Sequence, residues 1–161
     1  MPDMLVKLYA LPPLETVLAN PLLEGIDLRR GLGAEKHLVL SWIRRQFWEA
    51  WASETDVAFA RAPVSCFIAV QDNIPVGFSC YDTTRKGFFG PIGTDDAVRG
   101  RGVGKALLLL TLYDMWANGY GYAIIGGVGP ADFYAKACGA VLIPDSAPGV
   151  YRGMLRPPET E

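Results

Sequence analysis

Residues 98–108 have the sequence VRGRGVGKALL, in which three alternating glycines and three basic side chains lie directly before an apolar run. The N-terminus of a helix exposes unpaired N–H groups and carries a partial positive charge. Glycine lets a bulky anion approach such a backbone and adopts the positive φ angles of tight turns. The stretch therefore predicts a loop and a helix N-terminus that bind a pyrophosphate.

The spacing of this stretch excludes two common phosphate-binding loops. A Walker A loop needs a glycine where the chain has Arg99, and a serine or threonine where it has Ala106. A dinucleotide-binding fingerprint that starts at residue 100 needs a third glycine where the chain has Lys105. The spacing that remains is Arg99-x-x-Gly102-x-Gly104.

This spacing resembles the acetyl-coenzyme A loop of the GNAT family of N-acyltransferases, whose pattern is Arg/Gln-x-x-Gly-x-Gly/Ala. The resemblance implies acetyl-coenzyme A as cosubstrate, no metal, and pyrophosphate bound by the main-chain N–H groups of residues 101–105. Which of the three basic side chains contacts phosphate stays open. The predicted cofactor-binding residues of the loop are Arg99, Gly100, Arg101, Gly102, Val103, Gly104 and Lys105.

The strand that precedes the loop, residues 88–94, contains two glycines and a proline. These residues indicate a bulge or a splay that leaves backbone groups unpaired. In the family this strand separates from the next one and pairs with the pantetheine arm, so the resemblance assigns that role to Ile92, Gly93 and Thr94. A kinked edge strand without a ligand is the alternative.

Residues 131–140, ADFYAKACGA, are similar to the family's Phe-Tyr-x-Lys-x-Gly-Phe/Ala stretch, with one extra residue between Lys136 and Gly139. The resemblance assigns Tyr134 as the catalytic residue that protonates or hydrogen-bonds the departing thiolate. A thiol with a pKa near ~8.5 is a stronger acid than a phenol near ~10, so we expect a hydrogen-bond donor to developing negative charge. A buried tyrosine of the core is the alternative. Where many members have an asparagine, this chain has Gly127.

The acceptor side is less well defined by the sequence. Several relatives use a glutamate on the strand before the loop, but residues 88–94 contain no acid. The general base therefore stays open among Asp82, Glu49, Glu54 and Asp56. The spacing of the aromatic residues in 42–51 places Phe47 and Trp51 in the core. It leaves Trp42 or Trp48, and also Tyr151, to line an apolar or cationic acceptor pocket.

Composition restricts the class of partner and the compartment. The 161-residue chain is half apolar with a net charge of -2 and a pI near 5.4, which argues for a globular domain and against a nucleic-acid partner. Three widely spaced cysteines and one histidine form neither a disulfide framework nor a zinc pattern. The start does not resemble a signal peptide, and the longest apolar run is too short to span a bilayer. We therefore expect a cytoplasmic protein without a membrane partner.

The order of predicted elements indicates an α/β (mixed α+β) fold. We predict strands at residues 6–11, 66–70, 76–81, 88–94 and 122–126, helices at 14–20, 35–55, 105–118 and 131–137, and a final strand pair near Val141 and Tyr151. The resemblance implies a central, mixed and mostly antiparallel twisted sheet with helices on both faces. It also implies a splay between the fourth and fifth predicted strands, residues 88–94 and 122–126. Residues 1–161 are predicted to form one domain, with acceptor-side elements in 1–60 and the acetyl-coenzyme A core in 66–140.

The predicted function is transfer of an acetyl group from acetyl-coenzyme A to an amine, which attacks the thioester directly in a ternary complex. A small-molecule amine is the expected acceptor, and a homodimer is left open. A non-catalytic module that binds acyl-coenzyme A is the second hypothesis, and a different nucleotide-phosphate binder is the third.

Overall fold

The computed structural model describes residues 1–159, and seven strands of that range form one sheet in the order β2-β3-β4-β5-β6-β1-β7. The strands are β1 (Met4–Lys7), β2 (Asp27–Arg30), β3 (Cys66–Gln71), β4 (Ile74–Tyr81), β5 (Phe88–Thr94), β6 (Tyr122–Ile125) and β7 (Val141–Leu142). The helices are α1 (Leu14–Leu18), α2 (Lys36–Gln46), α3 (Glu49–Phe59), α4 (Val103–Ala117) and α5 (Ala131–Cys138). Neighbouring strands are antiparallel, except that β5 and β6 are parallel.

The parallel pair β5 and β6 is the feature that opens the sheet. The two strands are in register only at Phe88–Ile124 and Phe89–Ile125. Beyond that point β5 continues to pair with β4 on its other edge, up to Thr94 opposite Gly77. The edge of β5 that faces away from β4 is therefore without a partner strand over its second half, which confirms the predicted splay.

Helices cover both faces of the sheet because the side chains of β4 alternate between them. Phe78 and Cys80 belong to the core formed with α2 and α3, whereas the Ser79 hydroxyl contacts the backbone of α4 at Leu107 on the opposite face. Helix α4 is apolar on most of its circumference because it lies between this face and its other neighbours, α1 and α5. The predicted fold class, a mixed and mostly antiparallel sheet with helices on both faces, is confirmed.

The predicted long helix over residues 35–55 is wrong, since the chain breaks between α2 and α3. Phe47 has φ -130° and ψ -108°, and Trp48 is extended. The break turns the Phe47 ring inward, where its centroid lies 5.6 Å from that of Trp42 and 5.7 Å from that of Phe78. Aromatic packing on the sheet therefore overrides local helix propensity at this point.

Three smaller corrections concern the strands. The first strand begins at Met4 and ends at Lys7, where a short 3-10 helix follows. The edge strand Asp27–Arg30 was not predicted, because its charged sequence lacks an apolar alternation. Tyr151 lies in a 3-10 helix, Gly149–Tyr151, and not in a strand. Across residues 1–159, no helix is both long enough and apolar enough to cross a membrane.

Candidate active site

A cavity of about 760 Å³ occupies the opening between β5 and the segment that follows β6; we call it the cleft. Its lining includes the second half of β5, Gly104 of α4, and Phe133 and Tyr134 of α5. Residues of α3 and the C-terminal segment around Tyr151 also line it. A smaller cavity of about 390 Å³ beside residues 18–28 has no lining residue in common with the cleft.

The N-terminus of α4 lies at the cleft, where Gly104 contributes to the lining, and we call this part the mouth of the cleft. Gly102 precedes the helix in the left-handed region, at φ +81°. The first helical hydrogen bond runs from the N–H of Ala106 to the carbonyl of Gly102, and the N–H groups of residues 102–105 have no partner within residues 1–159. Four unpaired donors at the positive end of a 15-residue helix suit an anion. The Arg101 N–H, in contrast, already donates to the Val98 carbonyl.

The three basic side chains of the loop have different surroundings. The Arg101 guanidinium donates to the carbonyls of Leu22 and Glu24, each at 2.8 Å, so it anchors the loop to the N-terminal third of the chain. Arg99 forms an exposed ion pair with Asp96. Lys105 is exposed and forms no ion pair within the described residues, so it is the side chain best placed to contact a phosphate.

Of the predicted cofactor-binding residues, Ile92, Gly93, Thr94 and Gly104 line the cleft. The others are not among its lining residues, with Gly100 exposed and the Val103 side chain buried in the core. A Cβ added to Gly104 would meet only the Thr94 methyl group, at 3.8 Å, so the mouth is not blocked by side chains.

Gly93 has a packing role that the sequence did not reveal. A Cβ at this position would lie 2.6 Å from Cζ of Phe47, so the ring of Phe47 lies directly against the β5 backbone. The glycine therefore lets Phe47, which lies at the break between α2 and α3, pack on the strand that lines the cleft.

We expect Gly93→Ala to lower the free energy of unfolding by about 1–3 kcal/mol, the usual range for overpacking a core. Urea denaturation measures the effect, and Gly33→Ala is the control because a Cβ there meets no atom within 4 Å. Adding Phe47→Leu to Gly93→Ala should recover part of the loss. Equal stability of Gly93→Ala and the control would contradict the contact.

Tyr134 lies on α5 with its ring buried between Phe89 and Phe133. Its hydroxyl has no hydrogen-bond partner within residues 1–159, yet no buried side-chain polar atom of that range is without a partner. The hydroxyl is therefore accessible from the cleft that Tyr134 lines. Burial, together with the Cys138 thiol, raises the pKa of Tyr134 to about 12, so the phenol remains a proton-bearing donor at neutral pH.

The four carboxylates left open by the sequence occupy different environments. Asp82 accepts hydrogen bonds from the Gly87 N–H at 2.6 Å and from the Tyr120 hydroxyl. Glu49 and Asp56 form ion pairs at the surface. Of the four, only Glu54 lines the cleft. The Thr84 hydroxyl donates to Glu54, and burial raises the pKa of this carboxyl above its usual value.

The two tryptophans between which the sequence left the pocket role undecided lie in different environments. Trp42 is buried in the core, whereas Trp48 is 61% exposed and lines the cleft. Trp51, predicted to be core, also contributes to the cleft wall, and Tyr151 lines it from the C-terminal side. Thr84 was not predicted, since nothing in the local sequence connects it to Glu54.

Gly126, the first glycine after β6, lies directly against Tyr151. A Cβ at Gly126 would lie 2.2 Å from the Tyr151 hydroxyl oxygen, so a side chain there would displace that hydroxyl. Gly127 has φ +57°, and its N–H donates to the buried carboxylate of Asp3 at 2.8 Å. At this position the sequence comparison left the usual asparagine side chain unreplaced, and the structure has a contact of the Gly127 backbone instead. Its partner, Asp3, was not predicted.

Several solved structures with a similar fold are described as acetyltransferases. A region described as a GCN5-related glucosamine N-acetyltransferase, in a fungal multi-domain GH3 β-N-acetylglucosaminidase, is 15% identical with a TM-score of 0.72, covering 88% of this chain and 19% of that one. A GCN5-related N-acetyltransferase from Sphaerobacter thermophilus is 23% identical with a TM-score of 0.67, covering 88% and 48%. One from Kribbella flavida is 17% identical with a TM-score of 0.56, covering 88% and 53%. This chain therefore spans about half or less of their length.

No curated protein has a significant match to this chain. The family model described as Acetyltransferase (GNAT) family matches residues 34–140, more than half of the chain, and extends from the start of α2 to the end of α5. The α4 N-terminus and Tyr134 lie within that match, as does most of the cleft lining, whereas Met1, Pro148 and Tyr151 of the lining lie outside it. The chain therefore belongs to the acetyltransferase (GNAT) family.

Proposed function

We propose that the protein is an N-acetyltransferase that takes acetyl-coenzyme A as donor and a small amine as acceptor. The observation that carries this proposal is the continuity of the cleft, which joins unpaired amides at the α4 N-terminus to the free hydroxyl of Tyr134. Among the described residues there is no cluster of histidine, cysteine or acidic side chains suited to a metal ion. The three cysteines are unpaired and buried, which suits a reducing compartment such as the cytoplasm.

The residues present fit the donor at both of its ends. The N–H groups of residues 102–105 would hold the diphosphate, and the unpaired edge of β5 from Ile92 to Thr94 would pair with the pantetheine amides. Acetyl-coenzyme A, when bound, supplies an acyl group on a thiol leaving group. With the donor bound, Tyr134 would donate a hydrogen bond to the sulfur as negative charge develops there, a form of electrostatic stabilisation. The acceptor amine enters from the side of α3.

Two measurements test the proposal. Calorimetry should show coenzyme A binding to the protein, and a thiol reagent should detect coenzyme A release from acetyl-coenzyme A only when an amine is added. Binding without release for every amine of a broad panel would favour the alternative, a non-catalytic acyl-coenzyme A module. That alternative is supported by the absence of an acid on β5. Absence of coenzyme A binding would reject both.

A further inference from the structure

One part of the cleft lining has its own chemistry, and we call it the acceptor pocket: Trp48, Trp51, Glu54, Thr84, Pro148 and Tyr151. The break after α2 creates it, because residues 48, 51 and 54 are spaced three apart and share one side of α3 and its N-cap. Trp48 and Trp51 lie edge to face, with centroids 5.6 Å apart. An aromatic wall therefore stands beside one carboxylate.

Glu54 is the only charged side chain that lines the cleft. It forms no ion pair with any cationic group of residues 1–159, and the hydroxyl of Thr84 is its one hydrogen-bond partner there. A half-buried carboxylate without a cation is unfavourable, because it has lost part of its hydration and gained little in return. A ligand that brings an ammonium group to the acceptor pocket would supply the missing charge.

The rest of the acceptor pocket limits what the ammonium group is attached to. The indoles of Trp48 and Trp51, the ring of Tyr151 and Pro148 present apolar surface, which is favourable for a hydrocarbon or aromatic body. A second ammonium group on the ligand would find no second carboxylate there. Sugar hydroxyls would lose water with few donors or acceptors to replace it. The indole faces add attraction for one cation.

On the basis of the proposed function, we infer that the acceptor is a primary monoamine carried on an apolar or aromatic body, whose ammonium group binds Glu54 among the aromatic side chains of the acceptor pocket. For transfer, this nitrogen would pass one proton to the Glu54 carboxylate, and the neutral amine would then attack the thioester carbonyl as the thiolate leaves. This assigns Glu54 a role in recognising the acceptor. This pocket also differs from a pocket for polyamines, which would need several carboxylates, and from a pocket for amino sugars, which would need several polar groups.

The test compares 2-phenylethylamine with spermidine, glucosamine and the uncharged isostere 2-phenylethanol. Calorimetric titration into protein saturated with coenzyme A measures acceptor binding without turnover. We expect 2-phenylethylamine to bind at least about tenfold more tightly than the other three, the effect of one charged hydrogen bond together with apolar burial. Coenzyme A release should show the same order in kcat/KM. Preference for spermidine or glucosamine, or equal binding of the alcohol, would overturn the inference.

The matched variants are Glu54→Gln and Glu49→Gln. The first keeps the shape of the pocket and removes its charge, so we expect the affinity for 2-phenylethylamine to fall about 10- to 100-fold while that for coenzyme A is unchanged. The second lies on the same helix in an exposed pair with Arg44 and should change neither affinity. Unchanged amine affinity in Glu54→Gln overturns the inference while leaving the proposed function intact. Failure of coenzyme A to bind the wild-type chain rejects the proposed function instead.

Discussion

Replacing Gly104 with aspartate is expected to weaken coenzyme A binding about 100-fold or more. The new carboxylate would lie at the mouth of the cleft, among the N–H groups of residues 102–105 that lack partners in the described chain. Two like charges about 5 Å apart repel by about 3 kcal/mol at an effective dielectric of 20, which corresponds to a factor of more than 100 in affinity. The carboxylate would also compete with the diphosphate for the same donors.

The fold should survive this substitution, which makes it a clean test. A Cβ at residue 104 meets only the Thr94 methyl group, at 3.8 Å, and Gly104 does not have a positive φ. Aspartate in the first turn of a helix is favourable, by about 0.3–1 kcal/mol, because it faces the positive end of the helix dipole. Thermal melting should therefore show a stability equal to or slightly above that of the unsubstituted chain.

Two variants at the same position separate charge from size. Gly104→Ala should bind coenzyme A within a few-fold of the original affinity, and Gly104→Asn should lose less affinity than Gly104→Asp. Because exposed charges are screened, the gap between Asn and Asp should narrow as salt is raised toward about 1 M. Calorimetry gives each dissociation constant. If Gly104→Asp bound coenzyme A as tightly as Gly104→Ala, the α4 N-terminus would not be the diphosphate site.

The parts of the fold that sequence predicted best are those whose signals are local. The loop at residues 98–104, the helix that follows it and strand β5 are contiguous, and each carries its own glycine or apolar pattern. The predicted end of this helix at residue 118 is similar, since α4 ends at Ala117 and is followed by Gly119 at φ +93°. Short-range chemistry decides such features, so they can be read without the tertiary structure.

The parts that sequence could not predict depend on distant contacts. The break at Phe47 exists because its ring packs against Gly93, which lies far along the chain. The Arg101 side chain, one of three between which the phosphate contact was left open, binds carbonyls 77 and 79 residues away. Of the four carboxylates that were candidates for the general base, Glu54 is the one that lines the cleft. Two features place it there, the break between α2 and α3 and the approach of the 82–87 loop, whose Thr84 donates to it. No local pattern encodes these pairings.

Tyr134→Phe is expected to reduce kcat about 10- to 1,000-fold and to leave the affinity for coenzyme A nearly unchanged. Removing one donor that acts on developing negative charge commonly reduces kcat about 100- to 1,000-fold when that charge is fully formed on oxygen, and sulfur accepts hydrogen bonds more weakly. The ring stays in place, packed 5.1 Å from that of Phe133 and 6.5 Å from that of Phe89, so the apolar wall of the cleft is preserved. Because the hydroxyl bonds to no other group of residues 1–159, its loss leaves no buried partner unsatisfied.

The pH dependence gives this prediction a second readout. A pKa of about 12 means that the folded protein favours the neutral phenol, so Tyr134 keeps its proton until the pH rises through that value. Between about pH 7 and pH 10 the wild-type kcat should therefore show no loss caused by tyrosinate formation, although an unperturbed phenol would be half ionised at the upper limit. Tyr113→Phe serves as the control, since the Tyr113 hydroxyl donates to the Pro12 carbonyl, on residues that do not line the cleft. Equal kcat in Tyr134→Phe and in this control would show that the hydroxyl does not act on the leaving group, whereas a parallel loss of coenzyme A affinity would show that it acts in binding.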